Sequence, residues 1–258
     1  TMDEGLSEAV LRLLDAEYAL FQETRYPMQG GIIRATTLSL TRPDIERFRH
    51  RVLTRYQKPL SASLLLLMPC SARKPYSTSR SHRRFAEAIA ASGNPYATHT
   101  VVVTSPLGIV PLELDAVYPA AHYDISVTGR WSFDEQDIVI AMLHRFLECN
   151  DYDMVVQNLP RDIASFLDIE AIDTCRGHPL SKSSLQELTD TLRTITAQYE
   201  SVPWQTRKRE WVAAVLRYQF GSAGLLDDAE VRGRYPRYRI FEGHTQLGMF
   251  VPERGLFS

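Results

Sequence analysis

Apolar residues run without a break from Leu64 to Met68, between Ser63 and Pro69. A short continuous run of this kind predicts a β-strand buried on both faces, as the inner strands of parallel sheets are. Thr98 to Thr104 and Asp153 to Gln157 repeat the pattern, and a further strand is expected near 170–174. Between them the apolar spacing becomes helical, over about 43–56, from Ser79 to about Ala91, from Phe133 to Cys149, near 161–167, and from about Ser183 to Gln198. Leu6, Val10, Leu13, Leu14, Leu20 and Phe21 predict one more amphipathic helix over 6–23, followed by an extended segment from Ile32 to Leu40. About four core strands alternating with helices make an α/β fold, a three-layer α/β/α domain with a mostly parallel sheet.

The residues between these elements sharpen the boundaries. Pro43 suits a first helical turn with Thr41 or Arg42 at the cap, Gly93-Asn94-Pro95 ends the Ser79 helix, and Ser132 with Glu135 has the spacing of a capping box. Ser105-Pro106-Leu107-Gly108-Ile109-Val110-Pro111 reads as a shaped loop, because two prolines and a glycine at a strand end oppose a helix. It continues through Tyr118-Pro119 and Ala121-His122-Tyr123-Asp124 to Gly129 as a long structureless connection, and in compact domains such connections are usually functional. Ser201-Val202-Pro203 reads as a linker. Beyond it Glu210 to Phe220 is helical, and Val231 to Phe257 reads as short strands with turns at Glu242-Gly243 and Pro252-Glu253. The expected organisation is an N-terminal helix and extended segment over 1–40, a catalytic α/β domain over 41–200, and a small α+β unit over 201–258 docked on it, since so few residues are marginal alone.

Composition adds little until it is mapped onto the chain. A hydrophobic fraction of 44% and a charged fraction of 23% are ordinary for a globular protein. No apolar run approaches the roughly 18 residues of a membrane span, and the acidic N-terminus does not resemble a signal peptide, so a cytoplasmic protein with no membrane partner is expected. Cys70, Cys149 and Cys175 are odd in number and form no Cys-x-x-Cys pair, which points to neither disulfides nor zinc. No metal-ligand spacing and no glycine-rich phosphate loop occurs, so neither metal nor cofactor is expected. The formal net charge is −2, but its distribution is uneven. Arg73, Lys74, Arg80, Arg83 and Arg84 crowd residues 70–84 with no acid among them; Arg207, Lys208 and Arg209 form a second cluster. Arg232, Arg234, Arg237 and Arg239 alternate with Tyr235 and Tyr238 in a third. Basic patches mixed with aromatics suit nucleic-acid backbones and stacked bases.

The chemistry concentrates just past the Leu64 strand, in Pro69-Cys70-Ser71-Ala72-Arg73-Lys74-Pro75-Tyr76 followed by Ser79 and His82. Open α/β sheets bind ligands beyond the carboxyl ends of their strands. Cys70 is the candidate nucleophile: nearby cations and a helix N-terminus lower a thiol's pKa, so a partly ionised Cys70 is expected. His82, His122, Asp124, Glu113 and His178 are the titratable candidates for proton transfer, with the motif's own His82 foremost. Arg73 and Lys74 can grip phosphate or a carboxylate, and Tyr76 or Tyr123 can stack on a base. The Ser105–Asp124 loop is expected to form the opposite wall of the same pocket.

Pro69-Cys70-x-x-x-Lys74-Pro75-Tyr76-x-x-Ser79-x-x-His82 resembles, at every specified position, the signature of archaeosine synthases, archaeal tRNA-modifying enzymes related to tRNA-guanine transglycosylases. Ser105 to Pro111, Glu113, Tyr118-Pro119, Tyr123-Asp124 and Arg232-Gly233-Arg234-Tyr235-Pro236-Arg237-Tyr238 resemble that family too, so the likeness covers about 40–258. It implies a core with a fold like uracil-DNA glycosylases and a small unit of the kind that precedes a PUA domain. The pair Pro75-Tyr76 and His178-Pro179-Leu180-Ser181 echoes the two active-site loops of those glycosylases. Neither the family's transglycosylase-like domain nor its PUA domain is evident. The implied reaction adds the side-chain amine of lysine to the nitrile of 7-cyano-7-deazaguanine in the tRNA D-loop, through a Cys70 thioimidate. A separate radical enzyme, a possible partner subunit, then acts on the product. Cys70, His82, Asp124 and Glu113 would be catalytic; Arg73, Lys74, Tyr76, Ser79, Tyr123 and His178 would bind tRNA or lysine; Asp124 or Glu113 would anchor the lysine or act as base. Two other readings stay open, a glycosylase-like hydrolase of a nucleobase and a non-catalytic tRNA-binding subunit.

Overall fold

The structure, a computed structural model, describes residues 33–34, 37–124, 131–224, 230–234, 237–242, 244–251 and 255–257. The helix expected over 6–23 lies outside them.

The Leu64 run is strand β2 (Leu64–Pro69) at the centre of a five-stranded sheet. Its parallel neighbours are β3 (Thr98–Thr104) on one side and β6 (Met154–Gln157) on the other, with β7 (Ile172–Asp173) parallel beyond β6. Leu64 pairs with both Thr98 and Met154. The reason β2 carries no polar alternation is visible in its packing. Leu65 and Leu67 join a large apolar cluster with Phe48, Val139 and Phe146, while Leu64, Leu66 and Met68 turn to the other face against Phe85, Leu188 and Leu192. Each such fully buried side chain contributes about 1.5–3 kcal/mol. Helices α1 (Pro43–Thr54) and α3 (Phe133–Cys149) cover the first face; α2 (Arg80–Ala90) and α5 (Lys182–Thr196) cover the second. The α/β class with a mostly parallel sheet is therefore present.

The helix starts follow local chemistry. Ser132 and Glu135 make the full capping box at α3, Ser79 caps α2, Ser181 caps α5, and Pro43 opens α1. Three expectations need correction. The connection after β3 is not structureless: Gly108–Pro111 is strand β4, antiparallel to β3, and Leu112–Leu114 is a 3-10 turn. Gly108 permits the reversal with φ +81°, and a Cβ built there would lie 2.5 Å from the Met142 sulfur. Within the segment expected to be extended over Ile32–Leu40, Ile33–Arg34 forms strand β1, but Thr37–Thr41 is a 3-10 turn leading into Pro43. The helix expected near 161–167 is a single turn, α4 (Arg161–Ala164).

Strand β5 (Tyr123–Asp124) pairs in parallel with β1. Helix α6 starts at Trp204, earlier than expected, and runs to Phe220, with Tyr218 packed 5.5 Å from the Phe48 ring of α1. Strands β8 (Glu230–Arg234), β9 (Arg237–Glu242), β10 (Thr245–Val251) and β11 (Gly255–Phe257) form an antiparallel sheet in the order β11-β10-β9-β8. Val231, Tyr238 and Ile240 of that sheet belong to the same apolar cluster as Leu65 and Leu67. Among the described residues no helix is long and apolar enough to cross a membrane.

Candidate active site

β2 ends at Pro69, and the chain then crosses the carboxyl edge of the sheet to a 3-10 turn at Tyr76–Thr78 and into α2. Buried Ser79 accepts the His82 backbone N–H at 3.1 Å, which starts the helix. His82 is 6% exposed, and its Nε2 lies 3.0 Å from the Pro69 carbonyl, an oxygen that can only accept. The imidazole therefore donates that N–H and stacks on the Tyr76 ring at 5.2 Å. Burial holds its pKa down at about 4, against a smaller upward effect of the Pro69 bond. His82 thus ties the two ends of the motif together as a neutral ring.

Cys70 is half-buried beside Thr104, Lys74, Tyr76 and Tyr123. Burial raises its thiol pKa, and neither the Thr104 hydrogen bond nor the Lys74 charge overturns that. The partly ionised cysteine expected from the sequence is corrected accordingly: the free thiol is the resting form. Arg73 is exposed, and His82 spends its Nε2 on Pro69. Of the motif's cations, Lys74 is the one whose charge acts on the thiol.

Around the cysteine sits a buried hydroxyl cluster. Thr104 Oγ1 lies 2.7 Å from the Tyr123 hydroxyl, Tyr76 donates to Thr104 Oγ1 at 3.4 Å, and the two tyrosine hydroxyls are in hydrogen-bond contact. Burial pushes both phenols up. The Lys74 ammonium rests 4.1 Å from the centre of the Tyr123 ring. These contacts bring the Cys70 loop against the segment that follows β3. One more fastens the two together, the Ser77 N–H donating to Asp115 Oδ2 at 2.7 Å, while Ser105 Oγ ties the second segment to α3 by donating to Glu135 at 2.5 Å. Tyr118 in turn donates to Asp44 of α1 at 2.6 Å. The peptide bonds Lys74-Pro75, Ser105-Pro106 and Tyr118-Pro119 are cis, all three in these two segments.

Cys70, Lys74, Tyr76 and Tyr123 are thus assembled, with Ser79 and His82 behind them. Glu113 stands in a different group. It is 1% exposed, accepts from Tyr56 at 3.0 Å and from Arg207 at 3.2 Å, and lies 3.1 Å from His99 Nε2. Burial works to raise its carboxyl, but His99 and Arg207 outweigh it and hold the pKa at about 2. Asp124 pairs through its backbone with Arg34, and its side chain lies outside the described residues. His178 is exposed and accepts the Leu180 N–H at 3.1 Å within its own loop. Among the described residues no cluster of three His, Cys, Asp or Glu is placed to hold a metal.

Thr104, Asp115 and Asn158 lie outside every motif of the sequence. Asn158 is fully buried one residue past β6, with Nδ2 donating to Pro179 at 3.1 Å, its N–H donating to Leu67 at 3.0 Å, and Oδ1 unpartnered. Thr104 and Asn158 share a signal the sequence did contain, a polar residue at or just past the carboxyl end of an apolar strand.

Residues 45–192 match a family model described as Domain of unknown function (DUF5591). The chain belongs to that family. The match runs from α1 to α5 and so takes in the whole five-stranded sheet and the Cys70 loop. The resemblance carried by the Pro69–His82 motif is borne out over nearly the full chain. It is 37% identical to the archaeosine synthase subunit alpha of Methanosarcina acetivorans over 97% of its length, and 38% identical to the archaeosine synthase of Haloferax volcanii, again over 97%. The chain spans 42% and 44% of those two proteins, less than half of either. Among solved structures it is similar to AF0587, a protein of unknown function, with a TM-score of 0.60 and 27% identity, covering 80% of this chain and 67% of that one.

Proposed function

We propose that this DUF5591 chain carries the amidine-forming step of archaeosine biosynthesis on tRNA, with Cys70 as nucleophile. The observation that supports this most strongly is the complete Pro69–His82 motif at the carboxyl end of the central parallel strand, in a chain similar throughout to proteins named archaeosine synthase. The thiol adds across the nitrile of a 7-cyano-7-deazaguanine in tRNA. The sulfur–carbon bond forms, the thiol proton passes to the nitrile nitrogen, and a thioimidate results. The amine of lysine then attacks that carbon, the carbon–sulfur bond breaks, and the returning sulfur takes up the proton lost by the amine. The net result is addition of lysine to the nitrile, with no leaving group. Splitting one difficult addition into two is the usual gain of covalent catalysis.

The resting thiol is neutral, so its proton must move as sulfur attacks. Lys74 is the cation beside the sulfur and stabilises negative charge developing there. Tyr76, Tyr123 and Thr104 position that lysine and thiol. His82 and Ser79 act as positioning residues, shaping the loop and starting α2. Glu113 is engaged away from the thiol, which leaves Asp124 as the acid to test for lysine binding. We further propose residues 41–200 as the catalytic unit, of the uracil-DNA glycosylase kind, with 201–258 as the small pre-PUA-like unit.

The test is incubation with nitrile-bearing tRNA and isotopically labelled lysine, then nucleoside mass analysis. The expected product is a lysine-shifted nucleoside that is lost in Cys70→Ala. Release of free base would instead make the protein a glycosylase-like hydrolase. Binding with no mass change would leave only a tRNA-binding role.

A further inference from the structure

We infer that the outward face of α2, formed by Arg80, Arg83 and Arg84, is a docking surface for the phosphate backbone of RNA leading into the Cys70 loop. This rests on the tRNA reading above but goes beyond it, assigning residues outside the loop's own chemistry.

The helix has two distinct faces. His82, Phe85 and Ala88 are buried against the sheet, whereas Arg80, Arg83, Arg84 and Glu87 are exposed. Positions i, i+3 and i+4 are neighbours on a helix surface, so the three guanidinium groups form one patch. None of them holds a carboxylate within ion-pair distance among the described residues. Arg145, Arg176, Arg193 and Arg232 do, at 2.7, 2.9, 2.6 and 2.7 Å.

Their placement also opposes helix stability. The first turn of α2 contains no acid, and these arginines sit at its positive end. A cation there opposes the helix dipole, and like charges at i,i+4 repel one another. A surface that holds unpaired cations where they repel one another suits a polyanion. Arg73 is exposed in the loop just before the helix, and Lys182 is exposed at the start of α5, which packs along α2 through Thr189 donating to the Ala88 carbonyl at 3.1 Å. Both cations lie at the carboxyl edge of the sheet, the edge where Cys70 lies. Ala86 and Ala90 are the apolar residues exposed on α2, too small for the aromatic or aliphatic anchors that protein partners and membranes require. Arginine forks match phosphate oxygens in pairs.

The experiment measures equilibrium binding of tRNA to the full chain between about 50 and 200 mM salt. It compares the native protein, the triple variant R80Q/R83Q/R84Q, and a control R145Q/R193Q that removes two carboxylate-paired arginines elsewhere. Each lost phosphate contact removes about 0.7–0.9 from the slope of log affinity against log salt. The triple variant should flatten that slope by about 2 and bind at least about tenfold more weakly at the low-salt end, while the control retains the native slope. An unchanged slope in the triple variant, or an equal change in the control, overturns the surface. The two proposals fail separately. A flattened slope without lysine transfer keeps the surface and removes the reaction, whereas lysine transfer with an unchanged slope does the reverse.

Discussion

At the scale of single residues, the Cys70 thiol is governed by competition between burial and charge. Desolvation raises its pKa, and the Thr104 hydrogen bond and the Lys74 ammonium pull the other way without winning. Alkylation follows the thiolate, so its rate against pH reads the titration directly. In a Cys149→Ser, Cys175→Ser background, the midpoint for Cys70 should lie above the ordinary cysteine value of 9.0. Lys74→Met should move it higher still, because it removes the charge that favours the thiolate. A midpoint below that of a free cysteine would sink the account. The cluster of Cys70, Lys74 and Tyr76 was legible in the sequence because they are close in the chain. The ionisation was not, because it depends on what folds over the thiol. Arg73, adjacent in sequence, is exposed, and Thr104 and Tyr123, distant in sequence, are in contact. The position of Asn158 at a strand end was legible, but its hydrogen bonds were not, since its side-chain amide and its backbone N–H donate to the Pro179 and Leu67 carbonyls of other segments.

At the scale of elements, helix α6 is fastened to the β3–β4 hairpin by buried charge. Arg207 donates to Glu113 at 3.2 Å and to the Thr98 carbonyl at 3.4 Å, and Glu113 also accepts from Tyr56, whose hydroxyl lies 2.8 Å from His99. His99 meets the Tyr152 hydroxyl at 2.6 Å on its other nitrogen. Removing one member of a buried ion pair strands the other, at a cost of about 3–5 kcal/mol, whereas apolar replacement of both is often close to neutral. Glu113→Gln should therefore lower unfolding stability in urea by several kcal/mol, and Glu113→Leu with Arg207→Leu by less than the sum of the single changes. Additive losses would mean the pair is not coupled. The basic cluster containing Arg207 reads in the sequence as a patch suited to nucleic acid, but Arg207 and Lys208 are buried, through packing that no local pattern encodes. By contrast, the strand β2 and the capping box of α3 were plain from a handful of adjacent residues. The hairpin was obscured because its strand β4 begins at a glycine and ends at a proline, leaving only Ile109 and Val110 to signal extended chain.

At the scale of the whole molecule, acid should unfold this protein earlier than its carboxylates alone would dictate. His82 is buried and neutral with a pKa lowered from 6.5 to about 4, chiefly by desolvation, and burial lowers His99 as well. For a base whose folded pKa is depressed, the unfolded chain binds the extra proton first. Its contribution to stability is complete above the unfolded pKa and is lost as pH falls through the folded one. The window for His82 is therefore from about 6.5 down to 4, with a loss of roughly 3 kcal/mol across it. Glu113 works in the same direction at lower pH: its depressed carboxyl stabilises the fold above about 4.5 and ceases to do so as pH falls towards 2. Urea midpoints should fall steadily between pH 7 and pH 4 with a steepness that His82→Gln reduces, since glutamine can still donate to the Pro69 carbonyl but has no charge to gain. His82 joins the strand end to α2, so protonation that expels it removes the Cys70 loop's support together with the packing of Tyr76. Loss of the proposed lysine transfer on acidification should then track the loss of folded protein. A midpoint unchanged between pH 7 and 4, or an equally steep fall in His82→Gln, would show that the imidazole does not couple the site to the fold.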